Sequence, residues 1–509
     1  MNNGKICVSV CAETADELIE QIKRAEDLAD VIEIRFDCLK KDELQKAFTN
    51  LPATGKQYLA TFRPREQGGK CDLTVGERLK FWESLLWNNQ DKKFLIDHEF
   101  DLKFPFDLKK TPTIISFHDF SGVPENLSET YDLYDQLFSH LRNKVIKIAV
   151  QTDDITDTIP IWKLLEQAKS ENKQIIPIAM GEAGKWTRIL GLAHGAFMTY
   201  ASLDAGQETA PGQVSARDLI EVYRAKELDE NTEVYGILGS NTSVSMSPFI
   251  HNTAFKFHNL NAVFVPLQVY NLDEFMRRMV KPETREIELN FKGFAVTIPH
   301  KQNIIKHLDF IDETAKKIGA VNTVKIVDGK LHGYNTDAHG FVEPLKDAYG
   351  DLSKAKVAVC GAGGAARACV YALKKEGAEV TIFARDVEKA KNFAEEFQVE
   401  LKELSTFDSP LSTYKDFDIF VNTTPLGMKG KAEGETPAAA EQLKGLHLVY
   451  DLVYIPFQTR LMKEADIAEV PKIGGLAMLI AQAIEQQKIW TALDAPMKEM
   501  SRAVLERLG

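Results

Sequence analysis

At 509 residues the chain exceeds what one compact core can hold, so two to four domains are expected. With 44% apolar and 27% charged residues it has the composition of an ordinary soluble globular protein. A net charge of −12 argues against nucleic acid or an anionic membrane as the main partner, while local cations can still hold small anions.

Six cysteines (Cys7, Cys11, Cys38, Cys71, Cys360 and Cys369) are scattered, without a CxxC pair or a metal-like cluster. They read as reduced, mostly structural thiols. The opening "MNNGKICVSVCAETADELIE" has too short an apolar run for a signal peptide, and no stretch approaches the roughly eighteen apolar residues of a membrane span. A soluble, cytoplasmic protein without a metal site is expected.

Eight short apolar runs fill the first part of the chain: "KICVSV", "DVIEIRFD", "QYLATFR", "KFLIDHEF", "TIISFHDF", "KVIKIAV", "QIIPIAM" and "GAFMTYAS". Helix-compatible segments such as "TADELIEQIKRAEDLA" separate several of them. Eight strands with intervening helices over this length predict an α/β chain that begins with a (β/α)8 TIM barrel. Arg35, Arg63, Glu99, His118 and Lys147 fall toward the C-terminal ends of these runs, the face where such barrels carry active sites. Lys147 stands out, because it interrupts the apolar run from Val145 to Val150. A buried ammonium is costly unless it is paired or deprotonated.

After "SARDLIEVYRAKELDEN" the chain turns polar and acidic, then restarts with the strand "EVYGILGS". Residues 1–222 are therefore read as the barrel and 223–232 as a linker. Further on, "KVAVCGAGGAARACVYALKKEGAEVTIFARD" is a strand, a glycine turn, an amphipathic helix and a second strand. Its Gly361, Ala362, Gly363, Gly364, Ala365 and Ala366 fit G-x-G-x-x-A in the context a dinucleotide site requires. There the glycines let the backbone approach a pyrophosphate at a helix N-terminus. Arg385 at the end of the second strand favours NADP, although Asp386 beside it would repel a phosphate.

The stretches "GILGSNTSVSMSPFIHNTAF", "AVTIPHK", "GAVNTVKIVDGKLHGYNTDAHGF", "VNTTPLGM", "DLVYIPFQTRL" and "GGLAMLIAQAIEQQKIW" together resemble shikimate dehydrogenase. The resemblance covers about residues 233–509. It implies a substrate-binding domain over 233–340, completed by 475–509, and a Rossmann NADP-binding domain over 341–474. By it, Ser245, Ser247, Thr297, Asn322, Tyr454 and Gln482 bind substrate, Thr423 and Gly475 join the cofactor site, and Lys301 and Asp337 form the catalytic pair. The residue types suit ketone reduction: a lysine can deliver a proton to the developing alkoxide while an aspartate orients it. Two positions depart from the family pattern. Ala295 stands where an asparagine is common, and Ala384-Arg385-Asp386 where "NRT" is common.

The motifs "EIRFD", "TFRPREQGG", "SFHDF", "KVIKIAV", "MGEAGKWTRILG" and "TAPGQ", in that order over residues 5–215, resemble type I 3-dehydroquinate dehydratase. The resemblance implies that Lys147 forms an imine with the substrate ketone and that His118 is the proton-transfer base and acid. It also implies that Glu33, Arg35, Arg63, Arg188, Thr209 and Gln213 bind substrate. Gln67 stands where a glutamate is common, and is expected to orient the imidazole by hydrogen bonding without stabilising its charge.

The two resemblances imply consecutive steps, 3-dehydroquinate to 3-dehydroshikimate and on to shikimate with NADPH, in a fused bifunctional enzyme of aromatic amino-acid biosynthesis. Two other readings stay open at this point. The C-terminal half could act on quinate, or the chain could be a non-catalytic metabolite sensor on the same folds. The presence of Lys147, His118, Lys301 and Asp337 weighs against the sensor.

Overall fold

A computed structural model describes residues 2, 4–70, 73–88, 94–99, 111–141, 143–404, 414–430 and 432–508. All eight expected runs form strands: β1 (Lys5–Val10), β2 (Val31–Arg35), β3 (Gln57–Thr61), β4 (Leu95–Glu99), β5 (Thr113–Asp119), β6 (Lys144–Gln151), β7 (Ile175–Met180) and β8 (Met198–Ser202). Each of β1 to β7 pairs in parallel with its neighbour in the chain, and β1 also pairs with β8. A short β9 (Val214–Ser215) continues the row beyond β8. This sheet curls until its ends meet, where Phe197 N–H donates to Ile175 O (2.9 Å). One buried apolar cluster takes a residue from every one of the eight strands, from Cys7 on β1 to Met198 on β8. The sheet therefore encloses an interior.

Helices form where the apolar spacing and caps allow. In Ala15–Glu26, Leu18, Ile22 and Ala25 bury one face, and the Thr14 side chain accepts from Glu17 N. Asp16 and Glu17 in its first turn and Lys23 and Arg24 in its last suit the helix dipole. The second strand ends before the sequence suggests, because Phe36–Cys38 tightens into a 3-10 turn.

The cysteines require a correction. Cys11 and Cys38 are joined in a disulfide, while Cys7, Cys360 and Cys369 are free and buried; Cys71 lies outside the described residues. Cys11 follows β1 and Cys38 follows β2. The parallel pairing of those strands brings the two Cα atoms to 5.4 Å, within the range a disulfide spans.

By internal contacts the chain divides into two units, the first comprising Met1–Gly236, Ser240–Ser245 and Asn261–Asn290. Residues 223–232, expected as a linker, bury Tyr223, Ala225 and Leu228 and expose the charged side chains of Lys226, Glu227 and Glu230. The strand β10 (Glu233–Gly239) begins in this unit, and β11 (Ala262–Gln268) lies wholly within it. Arg224 donates to Ala262 O (2.9 Å), Gln268 Nε2 to Asp153 O (3.0 Å) and Tyr270 N–H to Asp154 Oδ2 (2.6 Å).

The second unit comprises Ile237–Gly239, Met246–Leu260 and Phe291–Gly509. In it β12 (Phe291–Val296) pairs antiparallel with β14 (Thr323–Val327), which pairs antiparallel with β15 (Lys330–Tyr334). The short β13 (Phe310–Ile311) lies parallel beside β15. A third sheet contains β16 (Lys356–Cys360), β17 (Glu379–Ala384), β18 (Glu400–Glu403), β19 (Ile419–Asn422), β20 (Leu448–Asp451) and β21 (Lys472–Gly474). All its pairs are parallel, in the order β18-β17-β16-β19-β20-β21. That is the doubly wound dinucleotide-binding order, with its switch point between β16 and β19. The helices Ser247–Phe257, Gly475–Thr491 and Met497–Leu508 share a core of Ile250, Ala254, Ile480, Ala483, Met500 and Val504. Among the described residues no helix is long and apolar enough to cross a membrane.

Candidate active sites

Alternation along β6 turns Val145, Lys147 and Ala149 into the curled sheet, which places an amine, 4% exposed, among apolar neighbours. The Lys147 Nζ lies 3.3 Å from Asp97 Oδ2 and 4.1 Å from the centre of the Tyr200 ring. Arg63, from the end of β3, donates through Nη2 to the same Asp97 oxygen (2.7 Å), and its Nη1 lies 2.7 Å from His118 Nδ1. A guanidinium only donates, so His118 Nδ1 accepts, and the neutral ring is assigned its proton on Nε2.

The other expected residues line the same cavity. Glu33 accepts from Thr61 Oγ1 (2.8 Å) and from Ser9 Oγ. Arg35 is turned onto Asp37 in a two-point ion pair at 2.8 and 2.7 Å. Thr209 donates to Gln213 Oε1 through its N–H (2.7 Å) and its hydroxyl (3.2 Å). Arg188, 2% exposed, donates to Pro211 O (3.2 Å), its Nε has no partner, and no carboxylate among the described residues pairs with it. That arrangement suits a carboxylate ligand.

Two expectations change here. Glu99 is not among the cavity-lining residues; it pairs with Arg78 (2.5 Å), both of them buried. Gln67 does line the cavity, but the partner of His118 Nδ1 is Arg63, and the buried Gln67 Oε1 has no partner. Asp97 was missed in the sequence, although it shares the inward parity of Leu95 on the same strand.

The charges in this cavity shift one another. Burial pushes the Lys147 ammonium below the ordinary lysine value, and Arg63 works in the same direction against the raising effect of Asp97 and Glu33. Burial, then Arg63, Lys147 and Arg35, hold His118 well below the usual histidine value. For Asp97 burial acts upward, but Arg63 and Lys147 overcome it and leave the carboxyl at about 2. Burial lowers the Arg188 guanidinium to about 10.

In the second unit, Lys301 lies in the helical turn His300–Asn303 after β12, and Asp337 opens the helix Asp337–Tyr349. Lys301 Nζ lies 2.5 Å from Asp337 Oδ2. The other Asp337 oxygen accepts from Asn322 Nδ2 (2.8 Å), which also lies 3.5 Å from Gln482 Oε1. Four expected residues, Lys301, Asp337, Asn322 and Gln482, are thus brought together. Asn335, missed in the sequence, accepts the Asp337 N–H (3.0 Å) and ties its own amide to Ala320 O (2.9 Å).

The remaining expected residues are placed less closely. Ser247 is buried at the start of its helix, and Thr297 follows β12, where its N–H donates to Leu238 O (2.9 Å). Ser245 belongs to the first unit, where its N–H donates to Thr242 O (3.2 Å). Ala295 is buried on β12 opposite Thr323. Tyr454 and Gly475 line a different groove, with Phe457, Ile480 and Met497, and Lys301 and Asp337 are not part of its lining. A side chain at Gly475 would collide with Leu452 O, so close backbone packing accounts for that glycine.

At the switch point Gly361 has φ +115, and a Cβ there would meet Thr423 Oγ1. Thr423 itself donates to Cys360 O (2.6 Å). Ala362 and Gly363 are exposed, nothing lies where a Gly363 Cβ would point, and a Gly364 Cβ would come 3.4 Å from Lys301 Cδ. The bare turn ahead of the helix Gly364–Lys375, with Ala365 in its first turn and Ala366 buried beneath, fits a pyrophosphate and sits beside the lysine. Arg385 is exposed at the end of β17. Asp386 is otherwise engaged: it caps the helix Val387–Phe397 through Lys389 N (3.1 Å) and pairs with Lys389 Nζ (3.0 Å).

Fold and sites together define a two-enzyme chain, a lyase followed by an oxidoreductase. Comparison with known proteins agrees. Residues 6–230 match type I 3-dehydroquinase, 237–324 the shikimate dehydrogenase substrate binding domain, and 343–428 shikimate/quinate 5-dehydrogenase. The chain is 34% identical to the bifunctional 3-dehydroquinate dehydratase/shikimate dehydrogenase, chloroplastic, of Arabidopsis thaliana, over 99% of this chain and 85% of the relative. Its second half is 39% identical to the shikimate dehydrogenase (NADP(+)) of Caldanaerobacter subterraneus, covering 52% of this chain and 93% of that protein. It also matches a crystal structure of a shikimate dehydrogenase in complex with NADP+ at 37% identity and a TM-score of 0.50, over 55% of this chain and 98% of that one. The chain belongs to the bifunctional 3-dehydroquinate dehydratase/shikimate dehydrogenase family.

Proposed function

We propose that the first unit dehydrates 3-dehydroquinate through an imine on Lys147, and that the second reduces the product to shikimate with NADPH. The observation that carries the reading is the position of Lys147, a buried amine with lowered proton affinity in a cavity that also holds His118 and Arg188, which has no carboxylate partner among the described residues. Burial makes the neutral amine available as a nucleophile. It attacks the substrate ketone, water leaves, and the protonated imine draws electrons from the adjacent carbon. That carbon gives its proton to His118, and hydroxide leaves from the next carbon, protonated by the imidazolium that has just formed. After elimination, water hydrolyses the imine and returns the product ketone and the free amine. Arg188 holds the substrate carboxylate. His118 can accept the proton at Nδ1 once substrate oxygen takes over the Arg63 donor, and Arg63 stays anchored to Asp97 through its other nitrogen.

In the second unit Gly361, Gly363, Gly364 and Arg385 would hold the cofactor, whose reduced nicotinamide supplies hydride when bound. Lys301 donates the proton to the ketone oxygen as hydride reaches its carbon, and Asp337 orients the lysine. Asn322 fixes the far oxygen of Asp337, which leaves the near one for Lys301.

The test is one assay with purified protein, 3-dehydroquinate and NADPH alone. NADPH loss is expected, and it should vanish in both Lys147→Ala and Lys301→Ala. With 3-dehydroshikimate supplied directly, Lys147→Ala should regain turnover and Lys301→Ala should not. Silence of the parent protein with both substrates, and with NADH, would overturn the reading.

A further inference from the structure

The resemblance to type I 3-dehydroquinate dehydratase assigns Asp97 no role, yet its carboxylate joins two residues that line the cavity, Lys147 and Arg63. Asp97 is 1% exposed on β4, which lies between β3, just before Arg63, and β5, which carries His118, and two strands from β6 with Lys147. Its Oδ2 takes Lys147 Nζ (3.3 Å) and Arg63 Nη2 (2.7 Å), and its Oδ1 takes Ser116 Oγ (2.5 Å). Arg63 then reaches His118 with its second nitrogen. The chain Lys147–Asp97–Arg63–His118 therefore joins the nucleophile and the base through one carboxylate.

We propose that Asp97 is the positioning residue of the dehydratase reaction, holding the nucleophile Lys147 directly and, until substrate takes over the Arg63 donor, the base His118 through Arg63, from a single buried carboxylate. The proposal rests on the imine reading above. The geometry separates two jobs. Ser116 fixes the carboxylate from behind, so the oxygen facing the cavity is set without help from substrate. That oxygen keeps Arg63 in reach of His118 and, with the Tyr200 ring on which the ammonium rests, fixes the place of the Lys147 amine.

Other charged or titratable groups face Lys147, and the balance among them gives the sign of the effect. Cys7 lies on β1, Glu33 and Arg35 on β2, Arg63 just after β3, His118 on β5 and Tyr200 on β8. Arg63 opposes charge on the lysine, whereas Glu33 and Asp97 favour it. Removing the Asp97 charge therefore leaves Lys147 neutral at lower pH while detaching Arg63, and with it His118. Nucleophile and base should respond differently to one substitution: imine formation persists further into acid, yet turnover falls.

The experiment uses the full chain. Imine formed with 3-dehydroquinate is trapped by borohydride at a series of pH values, and its position is read by mass on the Lys147 peptide. The parent is compared with Asp97→Asn, Asp97→Ser and Asp97→Glu, alongside kcat for dehydration. The expected result is a trapping midpoint moved to lower pH in the two neutral variants and kcat reduced about 10- to 100-fold, as for a misplaced general base. Asp97→Glu should return the midpoint toward that of the parent. A merely structural carboxylate would lower the yield of folded protein without moving the midpoint. Coincident midpoints in parent and neutral variants would overturn the proposal. So would failure of both neutral variants to fold while Asp97→Glu folds. Absence of trapping in the parent would instead remove the imine reading itself.

Discussion

Arg63 Nη1 lies 2.7 Å from His118 Nδ1, so a fixed cation faces the imidazole that has to accept a proton. A carboxylate in that place would favour the charged ring; a guanidinium does the reverse. Together with burial, it accounts for a histidine held well below its usual proton affinity.

That relationship predicts the effect of restoring a carboxylate at Gln67, which lines the same cavity with an unpartnered oxygen. A base works only in its neutral form, so the depressed affinity of His118 keeps the acid limb of dehydratase turnover well below the ordinary histidine range. Gln67→Glu supplies a negative charge, raises the proton affinity of His118 and should move that limb toward neutral pH. The rate at the optimum should change modestly, by less than about tenfold. The measurement is kcat against pH for both proteins. Superimposable profiles would show that position 67 does not reach the imidazole electrostatically.

Arg188 should separate function from stability. It is buried with an unpaired Nε and no carboxylate partner among the described residues, so in the protein without ligand it costs stability. Arg188→Met is expected to raise KM for 3-dehydroquinate about 100-fold, the loss of roughly 3 kcal/mol of charge-assisted pairing. Its melting temperature should equal or exceed that of the parent. A variant that melts lower while binding substrate normally would assign Arg188 to packing.

The contrast between what the sequence disclosed and what it hid is physical. Buried parallel strands must be apolar on both faces, so the eight runs were visible, and a charged residue inside one of them, Lys147, announced itself. Glycine positions near a phosphate are forced by backbone approach, so the turn at Gly361–Gly364 was visible too. Asp97 was hidden because a carboxylate near a strand end looks like an ordinary strand terminus until the neighbouring strands bring Arg63 and Lys147 to it. The Cys11–Cys38 bond was hidden for the same reason: 27 residues separate the pair in sequence, and only the pairing of β1 with β2 brings them together. Residues 223–232 read as polar by composition because Lys226, Glu227 and Glu230 are exposed, while Tyr223, Arg224, Ala225 and Leu228 are buried.

Arg385 and its neighbour should have opposite kinds of effect. Arg385 is exposed at the strand end where a 2′-phosphate would lie, so Arg385→Gln is expected to raise KM for NADPH about 10- to 100-fold and to leave NADH turnover unchanged. Asp386 looks in the sequence like a group that repels phosphate, but it caps a helix and pairs with Lys389. Asp386→Ala should therefore lower the melting temperature as a lost cap, with little gain in NADPH affinity. Initial rates with both cofactors and a thermal melt decide both points. A large NADPH gain in Asp386→Ala would mean that its charge, and not its cap, dominates.

His251 ties the second unit to pH. Its ring is fully buried between Gln486 Oε1 (3.2 Å from Nε2) and Gln487 Oε1 (3.3 Å from Nδ1). Burial lowers it to about 4, against the weaker raising effect of the two glutamines. The folded protein thus binds this proton less readily than the unfolded chain, whose histidine titrates near 6.5. Above that value neither state is protonated and nothing is lost. As pH falls below it the unfolded chain takes up the proton first, so stability drops by roughly 2 kcal/mol at pH 5 and about 3 kcal/mol once the folded ring titrates. Urea unfolding of the second unit at pH 8 and pH 5 should show this difference, and His251→Gln, which keeps a polar group of similar reach, should shrink it by about 2 kcal/mol. An equal drop in both proteins would place the acid sensitivity in the carboxylates instead.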